Sequence, residues 1–144
     1  MTILNYKQIN KDDVVSLLSL NTPIFFAPEE KKEFIHYLEN VLEDYFVIEE
    51  NNQILACGGI NYFPEEKLAR LSWDIVHPNY HGKGLGKLLC QHRINLLKNN
   101  SKIDKIVVRT SQFTYKFYEK NRFRLTEVVE NYWAKGYHLY KMEM

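Results

Sequence analysis

Val76-His77-Pro78-Asn79-Tyr80-His81-Gly82-Lys83-Gly84-Leu85-Gly86 is the stretch on which the reading of this chain turns. It follows the run Leu71-Ser72-Trp73-Asp74-Ile75-Val76 and leads into Lys87-Leu88-Leu89-Cys90-Gln91-His92-Arg93. The order reads as strand, glycine-rich turn and helix start. Glycines let the backbone take dihedrals that other residues avoid and let a ligand come close. The unpaired N–H groups at the helix start, aided by the helix dipole, then form an anion site. A phosphate-bearing cofactor is the expected guest. A nucleotide P-loop fits less well, because Lys83 is flanked by glycines and no Gly-Lys-Ser/Thr follows at the helix start.

Around that stretch, 144 residues fit one domain spanning 1–144 and suffice to bury a core. The net charge is +1, from 19 basic and 18 acidic residues. No sustained basic block exists, so charge lends nucleic-acid binding no support. Cys57 and Cys90 both sit in apolar runs and read as small core residues rather than a disulfide framework. No apolar run approaches the roughly 18 residues of a membrane helix, and the N-terminus lacks a signal-peptide layout. The expectation is a cytoplasmic domain with no membrane and no nucleic-acid partner.

Taken in order, residues 3–9 form a first strand, and Asn10 caps a helix with Asp12 and Asp13 in its first turn. Asn21-Thr22-Pro23 stops that helix, and Pro28 opens a second one running to about Leu42. From Tyr45 the period changes to that of strands: 45–48, 53–60 and 68–76 form a meander. The helix after the glycines runs to Lys98, with Leu85, Leu88, Leu89 and Leu96 on one apolar arc and Cys90, Ile94 and Leu97 on a second. His92 falls within the main arc and reads as a core histidine. Strand 105–109, helix 112–120 and strands 123–129 and 137–142 complete the chain. The fold class is α/β: a mixed, mostly antiparallel sheet of about seven strands, with about four helices on its faces and a parallel pair at the central strand–helix–strand unit.

The glycine stretch resembles the acetyl-coenzyme A loop of the GCN5-related N-acetyltransferase (GNAT) superfamily, whose pattern is Val-His-Pro-x-Tyr-Arg-Gly-Lys-Gly-Ile-Gly. A second segment, Arg109 to Phe123, is similar to the family's Phe-Tyr-Glu-Lys-x-Gly-Phe motif through Phe117-Tyr118-Glu119-Lys120-Asn121-Arg122-Phe123. The order of elements from residue 3 to 142 matches the family as well. His81 stands where the family has Arg or Gln, and Arg122 where it has glycine.

The resemblance implies acetyl transfer from acetyl-coenzyme A, as co-substrate and without a metal, to a primary amine of a small-molecule acceptor. It implies that the backbone of His81, Gly82, Lys83, Gly84, Leu85 and Gly86 cradles the pyrophosphate, which fits the anion-binding nest that successive N–H groups make. Asp74, Ile75 and Val76 are expected to splay from the neighbouring strand and pair with the pantetheine arm, and Gln112 falls near a position used on that arm. Tyr118 is placed by the resemblance next to the sulfur. A tyrosine protonated at neutral pH can give its proton to the departing thiolate. For the base, strict alternation puts Leu71, Trp73 and Ile75 on one face and Ser72 and Asp74 on the other, making Asp74 the candidate unless a bulge reverses it. Glu65 and Glu66 read as solvated and His77 as part of the turn. Segments 21–27 and 130–136, with Phe25, Phe26, Tyr132 and Trp133, are expected to shape the acceptor pocket. A cofactor-binding sensor without turnover and a protein N-acetyltransferase are the competing readings, and a homodimer is a further expectation from the fold.

Overall fold

Both faces of the central strands are apolar, so the sheet has to be covered on both sides, and the helices do this in two pairs. The computed structural model describes residues 1–144. Its strands are β1 (Thr2–Asn5), β2 (Asp44–Glu50), β3 (Gln53–Phe63), β4 (Leu68–Val76), β5 (Lys105–Thr110), β6 (Arg124–Ala134) and β7 (Tyr137–Glu143). The helices are α1 (Lys11–Leu20), α2 (Glu30–Asn40), α3 (Leu85–Lys98) and α4 (Tyr115–Lys120). One seven-stranded sheet runs in the order β1-β2-β3-β4-β5-β7-β6. Its pairings are antiparallel except β4–β5, the parallel pair that a crossover through α3 produces. The expected α/β architecture of about seven strands and four helices is therefore the one observed.

Helices α1 and α2 bury Val14, Leu17, Leu18, Phe34 and Leu38 against one face, while α3 and α4 bury Leu85, Leu89, Ile94, Leu97 and Tyr118 against the other. Double coverage explains why Tyr45, Phe46, Val47 and Ile48 are all buried although successive strand residues point to opposite faces. Helix α2 is shorter than its apolar pattern implied, and Val41 and Leu42 lie beyond it. Asn10 does not cap α1 forward; its side chain accepts from the Lys7 amide at 2.8 Å. The family-glycine position of the second motif, Arg122, takes the left-handed φ of 73°. The turn closes there as it would for glycine, with the Phe123 amide donating to the Tyr118 carbonyl at 2.9 Å.

Two readings of side-chain direction need correction. On α3, Leu88 and Leu96 are exposed, and the buried face is Leu85, Leu89, Cys90, Arg93, Ile94 and Leu97. Arg93 lies at the centre of that face. Its burial makes one continuous face of what the apolar spacing alone divides into two arcs. On β4, Trp73 has φ 50°, and the register passes from Gly59↔Ser72 to Cys57↔Ile75, so Trp73 and Asp74 together oppose Gly58. That is a β-bulge, and it reverses the faces beyond it. Leu71 packs in the α3-side core, whereas Trp73 and Ile75 pack in the α2-side core and Asp74 turns to α3. The left-handed Trp73 is braced by Phe34 at 4.9 Å between ring centroids, by Phe26 stacked at 6.3 Å, and by the Tyr45 hydroxyl donating to its carbonyl at 2.8 Å.

The parallel pairing of β4 and β5 ends at Leu71↔Val108, although β4 continues to Val76 and β5 to Thr110. The two strands splay beyond that point and open the sheet. Opposite the bulge, β3 makes room with Gly58 and Gly59. A Cβ on Gly59 would lie 2.3 Å from a Tyr45 ring carbon and 2.6 Å from the Asp44 carbonyl oxygen. Gly59→Ala should therefore destabilise the fold by about 1–3 kcal/mol through overpacking, read as a lower urea midpoint at unchanged slope.

Candidate active site

The turn that leads into α3 is ordered by its own side chains. The His77 ring accepts from the Asn79 amide at 3.1 Å, and the His81 ring N–H donates to the Val76 carbonyl at 2.8 Å. Gly82 and Gly84 hold φ of 75° and 87°, and a Cβ at either would meet nothing within 4 Å. Conformation rather than space thus demands glycine at both places. Gly84 caps α3 without any side-chain hydrogen bond, so the first amides of the helix are left to a ligand. Gly86 has the other reason for being small: its Cβ would approach the Phe117 ring to 3.2 Å, where α3 meets α4.

Behind this turn lies a buried charged centre. Arg93 is fully buried and forks onto Asp74, with 2.6 Å and 2.8 Å to the two carboxylate oxygens. It also donates to the Gly59 carbonyl at 3.0 Å and the Leu89 carbonyl at 3.2 Å. Burial opposes its charge, but the Asp74 carboxylate outweighs burial and holds the guanidinium above its usual range. Tyr118 donates its hydroxyl to Asp74 at 2.6 Å. Burial first, then the Asp74 charge, raises the Tyr118 pKa well above 10.0, so the phenol carries its proton at neutral pH. Asp74 and Tyr118, expected to act separately, are thus brought into contact. Each Asp74 oxygen already accepts from Arg93, and one of them also accepts from Tyr118, which is not the open carboxylate that a base requires.

A cleft of about 520 Å³ passes through the splay. On the α3 side it is lined by Asp74, Arg93, Tyr118 and the glycine turn; on the α2 side by Tyr37, Trp73, Phe26 and Trp133. Of the predicted pocket aromatics, Phe25, Phe26 and Trp133 line the cleft, while Tyr132 is 49% exposed and stands outside it. Ile75 and Val76 line it as well, with the Val76 carbonyl accepting from Asn21 at 3.0 Å in addition to His81. Gln112 is not brought to the site. Its amide group bridges the β6–β7 end, donating to the Gly136 carbonyl at 2.7 Å and accepting from the His138 amide at 2.9 Å. His92 is half-buried, edge-on to Phe46 at 5.0 Å, and the buried polar residue of α3 is instead its neighbour Arg93.

Among the cleft residues that the sequence does not announce is a carboxylate. Glu30 is 5% exposed, accepts the Ala27 amide at 2.8 Å, and lines the α2 side. Burial raises its carboxyl to about 7 from the usual 4.5. Its position could have shown it: Glu30 precedes Phe34 by four residues and Tyr37 by seven, on the apolar face of α2. The two cysteines are inert by comparison, since burial pushes both thiols up to about 12.

The family model described as "Acetyltransferase (GNAT) family" matches residues 12–123. The amino-acid acetyltransferase of Actinobacillus pleuropneumoniae serotype 3 is 28% identical over 116 residues, which is 81% of this chain and 26% of that relative. The chain thus spans about a quarter of the length of that curated relative, of which 26% is covered. An N-acetyltransferase from Staphylococcus aureus Mu50 superposes with a TM-score of 0.77 at 19% identity, over 99% of this chain and 96% of that one. An aminoglycoside 6'-N-acetyltransferase complexed with coenzyme A gives 0.77 at 15% identity, over 100% and 96%. At these identities the structural likeness is one of fold.

A carboxyl whose pKa is higher folded than unfolded makes the folded state the tighter proton binder. Stability should therefore fall as pH rises from about 4.5 through about 7. Glu30→Gln removes that contribution, so the difference in urea-unfolding free energy between variant and wild type should move in the variant's favour across this window.

Proposed function

Because the chain belongs to the acetyltransferase (GNAT) family, we propose that it transfers an acetyl group from acetyl-coenzyme A to a primary amine of a small-molecule acceptor, by direct attack in a ternary complex. The observation that carries this reading is the cleft itself. It crosses the sheet at the β4–β5 splay, with an open amide nest on one side and an aromatic pocket holding one near-neutral carboxyl on the other.

Acetyl-coenzyme A supplies the activated thioester. In this scheme the amides of His81, Gly82, Lys83, Gly84, Leu85 and Gly86 hold the pyrophosphate, and the backbone of Asp74, Ile75 and Val76 aligns the pantetheine arm as an added strand would. Glu30 takes a proton from the acceptor ammonium, because a carboxyl near 7 is basic enough to do so and ionised enough to be ready. The amine nitrogen bonds to the thioester carbonyl carbon as the carbon–sulfur bond breaks, Tyr118 gives its proton to the sulfur, and the second proton that the nitrogen sheds as the amide forms restores the phenol. Asp74, fixed by Arg93, holds the Tyr118 phenol in place rather than serving as the base, and the O–H turns from the carboxylate to the departing sulfur to donate. Gln112, committed between β6 and β7, takes no part. A cofactor-binding sensor would use the same turn and leave Glu30 and Tyr118 without a task.

Incubation with acetyl-coenzyme A and a panel of primary amines should release free thiol in an acceptor-dependent way; saturable cofactor binding without release from any amine would favour the sensor. Tyr118→Phe should lower kcat about 100-fold while the dissociation constant for coenzyme A, from calorimetry, stays within a factor of two or so. At saturating substrates, kcat should rise with pH through about 7 as Glu30 ionises. Glu30→Gln should remove that limb, and a wild-type profile in the variant would clear Glu30 of the role.

A further inference from the structure

Two arginines on the α2 side of the cleft lack any acidic partner. The register of β4 and β5 sets Arg70 beside Val107 and Leu71 beside Val108. Leu71 and Val108 belong to the α3-side core, so Arg70 and Arg109 emerge on the opposite face, the face of Tyr37 and Trp73. Both line the cleft, as does Ser72. Arg70 lies over the Phe63 ring at 4.8 Å and makes no hydrogen bond or ion pair. Arg109 sits over Trp133 at 5.6 Å and donates one weak bond, 3.3 Å, to the Tyr132 hydroxyl, while its Nε is buried without a partner. Burial, and then Arg109 itself, lowers the Arg70 pKa. Two neighbouring guanidiniums half-removed from water are costly unless an anion joins them.

A third group points to the same missing ligand. Tyr37 is 6% exposed, lines the cleft, and has a buried hydroxyl that lies near Ser72 without making a hydrogen bond of ordinary geometry. Buried polar groups are almost always paired, so an under-satisfied hydroxyl near Arg70, in a cleft that Arg109 also lines, marks the place of an acceptor-rich group. A carboxylate suits it: two oxygens match a guanidinium fork, with lone pairs left for a phenol. The pyrophosphate of the cofactor is not the candidate, because the glycine turn lies with α3, across the sheet.

We infer that Arg70, Arg109 and the Tyr37 hydroxyl form an oxyanion subsite that binds a carboxylate of the acceptor, making the acceptor an amino acid rather than a polyamine or an aminated neutral sugar. This rests on the acetyl-transfer reading above and adds to it the class of amine. The carboxylate docks on the β4–β5 floor, and the amine is left to reach the splay, with Glu30 on the same side of the sheet. A polycation is rejected there, since its charges would face two arginines with no carboxylate between them.

The test measures thiol release from acetyl-coenzyme A with the common L-amino acids, their α-carboxamides and spermidine, alongside calorimetric binding of acetyl-coenzyme A on the same sample. At least one amino acid should exceed its carboxamide in kcat/KM by about ten- to a hundredfold, the loss expected for a hydrogen-bonded charged partner. Arg70→Gln and Arg109→Gln should each collapse that acid-to-amide ratio toward one, with thermal midpoints confirming folded protein. If Arg70→Gln does not fold, Arg70→Lys, which keeps charge but loses the fork, should reduce the same ratio. Carboxamides or spermidine used as well as the acids, a ratio that survives both substitutions, or cofactor binding with no release from any amino acid would each overturn the inference and leave the cofactor assignment standing. Absence of acetyl-coenzyme A binding would overturn the parent reading, and the inference with it.

Discussion

The fold depends on one ion pair, the fork between Arg93 and Asp74. A guanidinium without exposure to water is tolerable only because its donors are satisfied by two carboxylate oxygens and the Gly59 and Leu89 carbonyls. Removing one partner from a buried pair typically costs about 3–5 kcal/mol, against total stabilities of about 5–15 kcal/mol. That comparison decides the local structure. The bulge at Trp73 is the device that turns Asp74 toward Arg93, and Gly58 is small because a Cβ there would stand 2.7 Å from the Asp74 carboxylate and 3.0 Å from the Arg93 guanidinium. Helix α3, strands β3 and β4, and α4 through Tyr118 are thereby tied to a single charge centre.

The same bulge divides the cleft. Past it, β4 presents Asp74 to the α3 side and Ile75 to the α2 side, while its pairing with β5 has already ended. Each side of the opened sheet acquires its own character. One carries the amide nest and a protonated phenol; the other carries aromatic walls, a near-neutral carboxyl and two unpaired arginines. A reaction joining a phosphate-bearing donor to a separate amine needs this kind of two-sided passage, because the donor and the acceptor must meet without sharing a binding surface.

Much of this was legible in the residues, for identifiable reasons. Gly82 and Gly84 are read correctly because left-handed positions at a helix start leave few alternatives, and the meander is read because double burial makes β2 and β3 continuously apolar. The failures share a cause. Arg93 and Glu30, being charged, do not announce their burial, although each stands at helical spacing among buried residues. The Trp73 bulge had no local signal, since tryptophan is not a residue that left-handed φ selects; only the Gly58-Gly59 pair across the strand hinted at it. Strand β6 continues past Val129 to Ala134, which the residues do not show because the strand pairs only with β7 and presents water a polar, unalternating surface. The position of Gln112 is not legible because its partners lie 24 and 26 residues away, on a hairpin that its own neighbourhood does not announce.

In the proposed reaction the donor and acceptor halves meet at Tyr118 through the β4–β5 splay. A crystal structure with a non-hydrolysable acetyl-coenzyme A analogue tests it most directly. Pyrophosphate oxygens should be hydrogen-bonded to the amides of residues 82–86, the thioester-equivalent sulfur should lie within hydrogen-bond distance of the Tyr118 hydroxyl, and the acetyl group should face the side of Glu30 and Arg70. A sulfur beyond reach of Tyr118, or an acetyl group turned away from the α2 side, would contradict it.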